Sequence, residues 1–289
     1  MPTTHAMLDW PLHEIVAHNR IDDPRKQMHD PEVARRMGFA GALVPGTVVY
    51  AYMLRPLVAR FGGDWFVPQV CELALLKPVY EGQRLRVQVR GDDPAQPQAL
   101  SVQALDEAGT CLATLQVSVP RPMPAPTPQR GQPPAAPATE RPPVSWERIV
   151  IGQPFARARW TPDAALQRAF CAEADETLPV FLDRPRAPLH PGLIVRRAND
   201  VLVHHFQAEL GIHVASRIVR HRAPVVGETV EVAAVPLEKW RRKSHEYVKF
   251  HVTLLGTDAA GRAHAMAHAD PAVAVELFHT MIYRPRGAP

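Results

Sequence analysis

Two stretches of this chain carry the same succession of apolar and polar positions. In the first, Pro45-Gly46 opens the run PGTVVYAYMLRPLVARFG, and in the second Pro191-Gly192 opens PGLIVRRANDVLVHHFQAELG. A proline–glycine corner ahead of such a run and a glycine behind it predict one main helix in each. Pro56 falls inside the first run and predicts a kink, or an end near Leu54. After each helix comes a short apolar segment, then a related turn, KPVYEG at 77–82 and APVVG at 223–227. Period-two alternation follows at Leu85, Val87 and Val89 and again at Val230 and Val232, which predicts strands. Two further strands are predicted in each stretch. They are joined by DEAG (106–109) and DAAG (258–261), hairpin turns with glycine where positive φ is needed.

The same order of signals twice in one chain reads as a duplication. Between the copies lies PRPMPAPTPQRGQPPAAPATERPP (120–143), with proline at a density that predicts a semi-extended surface connector. The expected organisation is therefore an N-terminal domain (1–120), a Pro-rich linker (121–144) and a C-terminal domain (145–289). A helix buried against several antiparallel strands is an α+β layer with an exposed sheet edge, and pairing two copies covers that edge.

Composition narrows the classes. At 289 residues and 46% apolar, the chain is long enough for two cores. No run is apolar and long enough to span a bilayer, and Asp9 and Trp10 interrupt the place where a leader would need apolar residues. A cytoplasmic protein is expected. Three scattered cysteines, Cys71, Cys111 and Cys171, argue against a disulfide framework or a metal site. The net charge of +4 comes with no basic run interleaved with aromatics, so nucleic acid is not the expected partner. The basic segment Lys239-Trp240-Arg241-Arg242-Lys243 reads as a solvated turn, with contact to an anionic ligand or carrier as the alternative.

The segment HDPEVARRMGF (29–39), leading into GALVPG (41–46), resembles the signature region of MaoC-like enoyl-thioester hydratases and dehydratases of the hotdog superfamily. The second half, with LHPG (189–192), Ala198-Asn199-Asp200 and GIHV (211–214), looks like the partner domain of double-hotdog members. This resemblance covers nearly all of the chain outside the linker. It implies a tandem (double) hotdog, two copies of a central helix wrapped by an antiparallel sheet, forming an internal pseudo-dimer open to further homo-oligomerisation. It also implies a hydratase or dehydratase acting on 2-enoyl or 3-hydroxyacyl thioesters. The carrier would be CoA or phosphopantetheine on an acyl carrier protein, with no separate cofactor and no metal.

The chain departs from the family pattern in one place. The family reads Asp-x-Asn-Pro-x-His, whereas here six positions separate Asp23 from His29 and the Asn-Pro pair is absent. The matching segment of the second half, DETLPV (175–180), keeps an acid but no histidine, so that copy is expected to be structural. Hydration needs a proton moved at Cα and a hydroxyl handled at Cβ, work an imidazole and a carboxylate can divide. The candidates are His29 and Asp23. The thioester oxygen becomes enolate-like and needs N–H donors at a positive helix end, for which Gly46 and Thr47 are the candidates. His190 and Asn199 form a polar group around the second helix and are candidates for substrate contact, with the domain interface as the alternative. Asp30 is the expected N-cap of a short helix beginning at Pro31. The irregular Asp23–His29 spacing keeps two other functions open, an acyl-CoA thioesterase and a non-catalytic acyl-thioester-binding subunit.

Overall fold

The computed structural model describes residues 10–21, 23, 27–91, 99–127, 132–134, 140–256 and 273–288. In the N-terminal half, strand β1 (His13–Val16) and the short helix α1 (Pro31–Arg36) precede the long helix α2 (Gly46–Phe61). Strands β2 (Gln69–Leu75), β3 (Arg84–Gly91), β4 (Ala99–Leu105) and β5 (Cys111–Ser118) complete it. The linker contributes a three-residue strand, β6 (Gln132–Pro134). The C-terminal half contains β7 (Ala156–Trp160), α3 (Ala164–Glu173), α4 (Pro179–Leu182), the long helix α5 (Pro191–His205) and strands β8 (Ile212–Arg220), β9 (Val230–Arg242), β10 (His245–Gly256) and β11 (Val273–Arg284).

The eleven strands of the described residues form one sheet in the order β1-β3-β4-β5-β2-β8-β11-β10-β9-β7-β6. Read outward from its middle, each half repeats the other: β2 matches β8, β5 matches β11, β4 matches β10, β3 matches β9 and β1 matches β7. The seam is the antiparallel pair β2–β8, running from Gln69 opposite Arg220 to Ala74 opposite Ala215. Each half thus hides the other's free strand edge. Arg220, buried at the end of the seam, spends its guanidinium on the carbonyls of Trp65 and Val67.

Helix α2 is apolar nearly all round, and every residue from Thr47 to Leu54 is buried. It packs on α5, inside the wrap of the sheet. Pro56 does not end it. Loss of one N–H and the ring clash cost about 3 kcal/mol. Beyond the proline, Leu57 and Val58 are buried to 0% and 2% exposure, each contributing roughly 1.5–3 kcal/mol, so the final turn holds. The DEAG turn forms as expected, with Gly109 at φ 83° and the Gly109 N–H on the Asp106 carbonyl. The DAAG turn at 258–261 lies outside the described residues.

The linker departs from a plain surface connector, because Gln132–Pro134 pairs in parallel with β7 at the sheet's far edge. Before that strand, the Thr127 amide donates to Glu276 of β11; after it, the Arg141 guanidinium binds the Val203 carbonyl. The described linker residues are therefore tied to the C-terminal half rather than hanging free of it.

Candidate active site

A cavity of about 300 Å³ lies between the halves, against the first turn of α2. Its wall is mostly apolar, including Ile21, Phe39, Leu43, Leu75, Leu202 and Met281, with a few polar groups among them. Four of the six residues singled out from sequence meet there: His29, Gly46, Thr47 and Asn199. Asp23 and His190 are not among the lining residues.

His29 ends the 3-10 turn Gln27–His29 and is held from three sides. Its Nδ1 lies 2.6 Å from the Leu43 carbonyl oxygen, and the Asn19 side chain donates to its own carbonyl at 2.7 Å. The turn is also tied to the other half, because the Gln27 amide donates to the Glu209 carbonyl at 3.0 Å. A carbonyl can only accept, so Nδ1 carries the proton of this bond and, in the neutral ring, Nε2 is the basic nitrogen. Downstream, Asp30 caps α1 as expected, accepting from the amides of Glu32 and Val33.

Gly46 starts α2 behind Pro45, with no side-chain cap. The backbone here is closely approached: a Cβ on Gly46 would sit 2.3 Å from Leu75 Cδ1 and 3.3 Å from His213 Nδ1. The first amides of a 16-residue helix carry the positive end of its dipole, and this end opens on the cavity. The buried Thr47 hydroxyl accepts from Arg196 at 3.4 Å. Arg196 is fixed by Glu173 through two contacts of 2.6 Å and lies over the Phe170 ring. Asn199 presents a buried Oδ1 that has no hydrogen-bond partner in the protein. Such a group costs about 1–3 kcal/mol until something meets it, and at a cavity wall a ligand can.

The two remaining candidates lie elsewhere. Asp23 is half-buried on the loop ahead of the His29 turn. His190 is the N-cap of α5: its Nδ1 accepts the Gly192 amide at 3.0 Å, and its ring is wedged between Phe170 and Phe181. Burial pushes its pKa down, against the opposing pull of Glu176. The segment matching Asp23 in the second half ties the halves together. Arg55 of α2 binds the Asp175 carbonyl and the Thr177 hydroxyl, and lies 3.4 Å from Glu176.

Several lining residues were not singled out from sequence. Glu209, after α5, is the sole carboxylate among the described residues of the wall. His245 and Tyr247 reach the cavity from the basic hairpin, whose Lys239 is spent on the carbonyls of Trp146 and Ile149. His213 of β8 is the least expected. A bulge opposite Thr280 and Met281 re-phases β8 around Val214, so His213 and Ser216 are buried on one face although three positions apart. His213 Nε2 and the Ser216 hydroxyl are 2.8 Å apart, and that hydroxyl is 2.7 Å from His279 Nδ1. Burial lowers the pKa of His213 to about 4, offset only in part by the Ala215 carbonyl. His279 is pushed well below the usual histidine range by burial and then by His213.

Among the described residues no cluster of His, Cys, Asp and Glu is placed to hold a metal, and no helix is long and apolar enough to cross a membrane. No family model and no curated protein matches the sequence. Solved structures do match the fold. One is described as a MaoC domain protein dehydratase from Chloroflexus aurantiacus, at TM-score 0.59 and 13% identity over 91% of this chain and 88% of that one. A conserved hypothetical protein from Mycobacterium tuberculosis, described as a double hotdog, aligns at TM-score 0.59 and 14% identity over 96% of both chains. A protein described as an oleoyl thioesterase, from Lactobacillus plantarum, aligns at TM-score 0.52 and 8% identity over 98% of both. The fold is a double hotdog, and its halves form an internal pseudo-dimer.

Proposed function

We propose that this protein is an enzyme of acyl thioesters, and specifically a hydro-lyase that interconverts 2-enoyl and 3-hydroxyacyl thioesters of CoA or of a phosphopantetheine carrier. One observation carries the reading: His29 and the uncapped first turn of α2 face one mainly apolar cavity. The fold neighbours include proteins described as dehydratases and as thioesterases, so the fold supports thioester chemistry in general. The choice of water addition rests on the histidine at the wall.

In this reading the apolar wall takes the acyl chain, and the thioester oxygen meets the amides of Gly46 and Thr47. Those donors are worth most when charge builds up on that oxygen, in the enolate-like transition state. For hydration, a carboxylate takes a proton from water as its oxygen bonds to Cβ, and the imidazolium of His29 gives a proton to Cα. Transfer of the proton from the carboxylic acid back to imidazole restores both groups, with one water consumed. We assign the carboxylate to Glu209 ahead of Asp23, because Glu209 lines the cavity and its carbonyl holds the turn that carries His29. Asn199 is assigned to substrate contact, and His190 to the architecture of α5.

The test is a panel of trans-2-enoyl-CoAs and 3-hydroxyacyl-CoAs, following product mass and free thiol together. A gain or loss of water without thiol, abolished in His29→Ala, is the expected result. Thiol release would instead make the protein a thioesterase. If no thioester turned over, whether on CoA or on a carrier protein, the reading would become one of binding alone.

A further inference from the structure

The mechanism above leaves unused the most buried polar cluster near the cavity, formed by His213, Ser216 and His279. All three are at most 7% exposed, and two of their nitrogens, His213 Nδ1 and His279 Nε2, have no hydrogen-bond partner in the protein. The rings of His213 and His279 lie face to face, their centroids 4.4 Å apart. Only His213 lines the cavity, and its unpartnered nitrogen is the one beside Gly46.

Hydrogen counting restricts what this cluster can be. Ser216 has one hydroxyl hydrogen and stands between two nitrogens, so it donates to one and accepts from the other. If it donates to His279, then His279 Nε2 carries a hydrogen buried without an acceptor. If it donates to His213 Nε2, His279 Nδ1–H donates to Ser216, the bare lone pair falls on His279 Nε2 and the unpartnered N–H falls on His213 Nδ1, on the residue that lines the cavity. Each arrangement leaves one N–H without an acceptor in the protein, the costlier defect. Only the second leaves it on the residue that lines the cavity, where a bound oxygen can meet it, which favours that arrangement. Its outcome is a hydrogen on His213 Nδ1, toward the cavity. The positive end of α2 beside it also opposes an imidazolium there.

We propose that His213 is a third oxyanion donor: its neutral Nδ1–H binds the thioester oxygen with the Gly46 and Thr47 amides, and Ser216 and His279 fix its tautomer. The C-terminal half thus supplies a group to the site that the N-terminal helix opens. This deepens the thioester reading and rests on it.

Two measurements test the assignment. In steady-state turnover of an enoyl-CoA, removal of one such donor in His213→Leu should lower kcat about 10²–10³-fold, with KM little changed. His213→Gln, which restores an N–H donor, should recover part of the loss, and Ser216→Ala should show a smaller one. In infrared spectra of butyryl-CoA labelled with carbon-13 at the carbonyl, the bound band should move to lower wavenumber in the wild type. That displacement should shrink in His213→Leu and persist in His29→Ala. A His213→Leu protein that melts like the wild type and keeps both kcat and the full displacement overturns the assignment alone. A wild type that neither turns over nor binds any thioester overturns the proposed function, and this donor with it.

Discussion

In the N-terminal half the first turn of α2 is left open to the cavity; in the C-terminal half the equivalent turn of α5 is filled. Gly46 begins a helix without a side-chain cap, whereas the Gly192 amide is taken by His190 and its surroundings by Phe170. A shared backbone plan therefore gives one open helix start and one stoppered start. Their different occupants, rather than the fold, decide which half can take the thioester of the proposed reaction.

The largest effect should come from exchanging the histidines of the two halves as targets. His29→Ala should lower kcat by about 10²–10⁴-fold with the melting temperature nearly kept. His190→Ala should do the reverse, lowering stability by about 1–3 kcal/mol with kcat nearly kept, as read by denaturant unfolding beside turnover. Loss of activity in both with no loss of stability would mean that the halves are not divided in this way.

Acid should separate the halves next. His190, His205, His213 and His279 all have pKa values lowered by burial, and all lie in the C-terminal half. Such a group is neutral in both states above about 6.5; below that the unfolded chain takes the proton first, so stability falls as pH falls. For His213, lowered from 6.5 to about 4, the loss across that window is about 3 kcal/mol. Hydrogen exchange at pH 5 against pH 7.5 should show protection lost first in β8 and β11. His13 of β1, lowered chiefly by burial, is a counterpart in the first half.

The glycines sharpen the contrast further. A Cβ on Gly192 would meet the Thr47 carbonyl at 2.8 Å, backbone that cannot step aside, while on Gly46 it meets the movable end of Leu75. Gly192→Ala should cost about 1–3 kcal/mol of stability, and Gly46→Ala should be milder in the melt and act mainly on KM and kcat. The smallest effect is expected for Asp23→Asn, whose kcat should stay within about threefold of wild type while Glu209→Gln falls by tenfold or more. The opposite order would return the carboxylate role to Asp23.

The duplication, the helix starts and the Asp106–Gly109 turn could be read from sequence, because corner residues and alternation are local signals. Of the two outcomes Pro56 offered, a kink or an end near Leu54, the end does not occur, because the burial of Leu57 and Val58 is a tertiary fact. His190 and Asn199 stood together as candidates, yet one plugs a helix and the other faces the cavity. Only the packing of Phe170 and Phe181 separates them. His213 was hidden by the bulge at Val214: alternation would put it and Ser216 on opposite faces, and Ser216 meets His279 across 63 positions of chain. Glu209 gave no periodic signal at all.

The linker of residues 121–144 makes one molecule of what could have been two identical ones. In a symmetric homodimer every substitution is displayed twice, so a plug such as His190 would have closed both helix starts at once. Joined in a single polypeptide, the copies inherit changes separately. One is free to drift into scaffolding while the other keeps its helix start open. The asymmetry of this site is thus a freedom conferred by covalent linkage, which no strand or helix of the fold provides by itself.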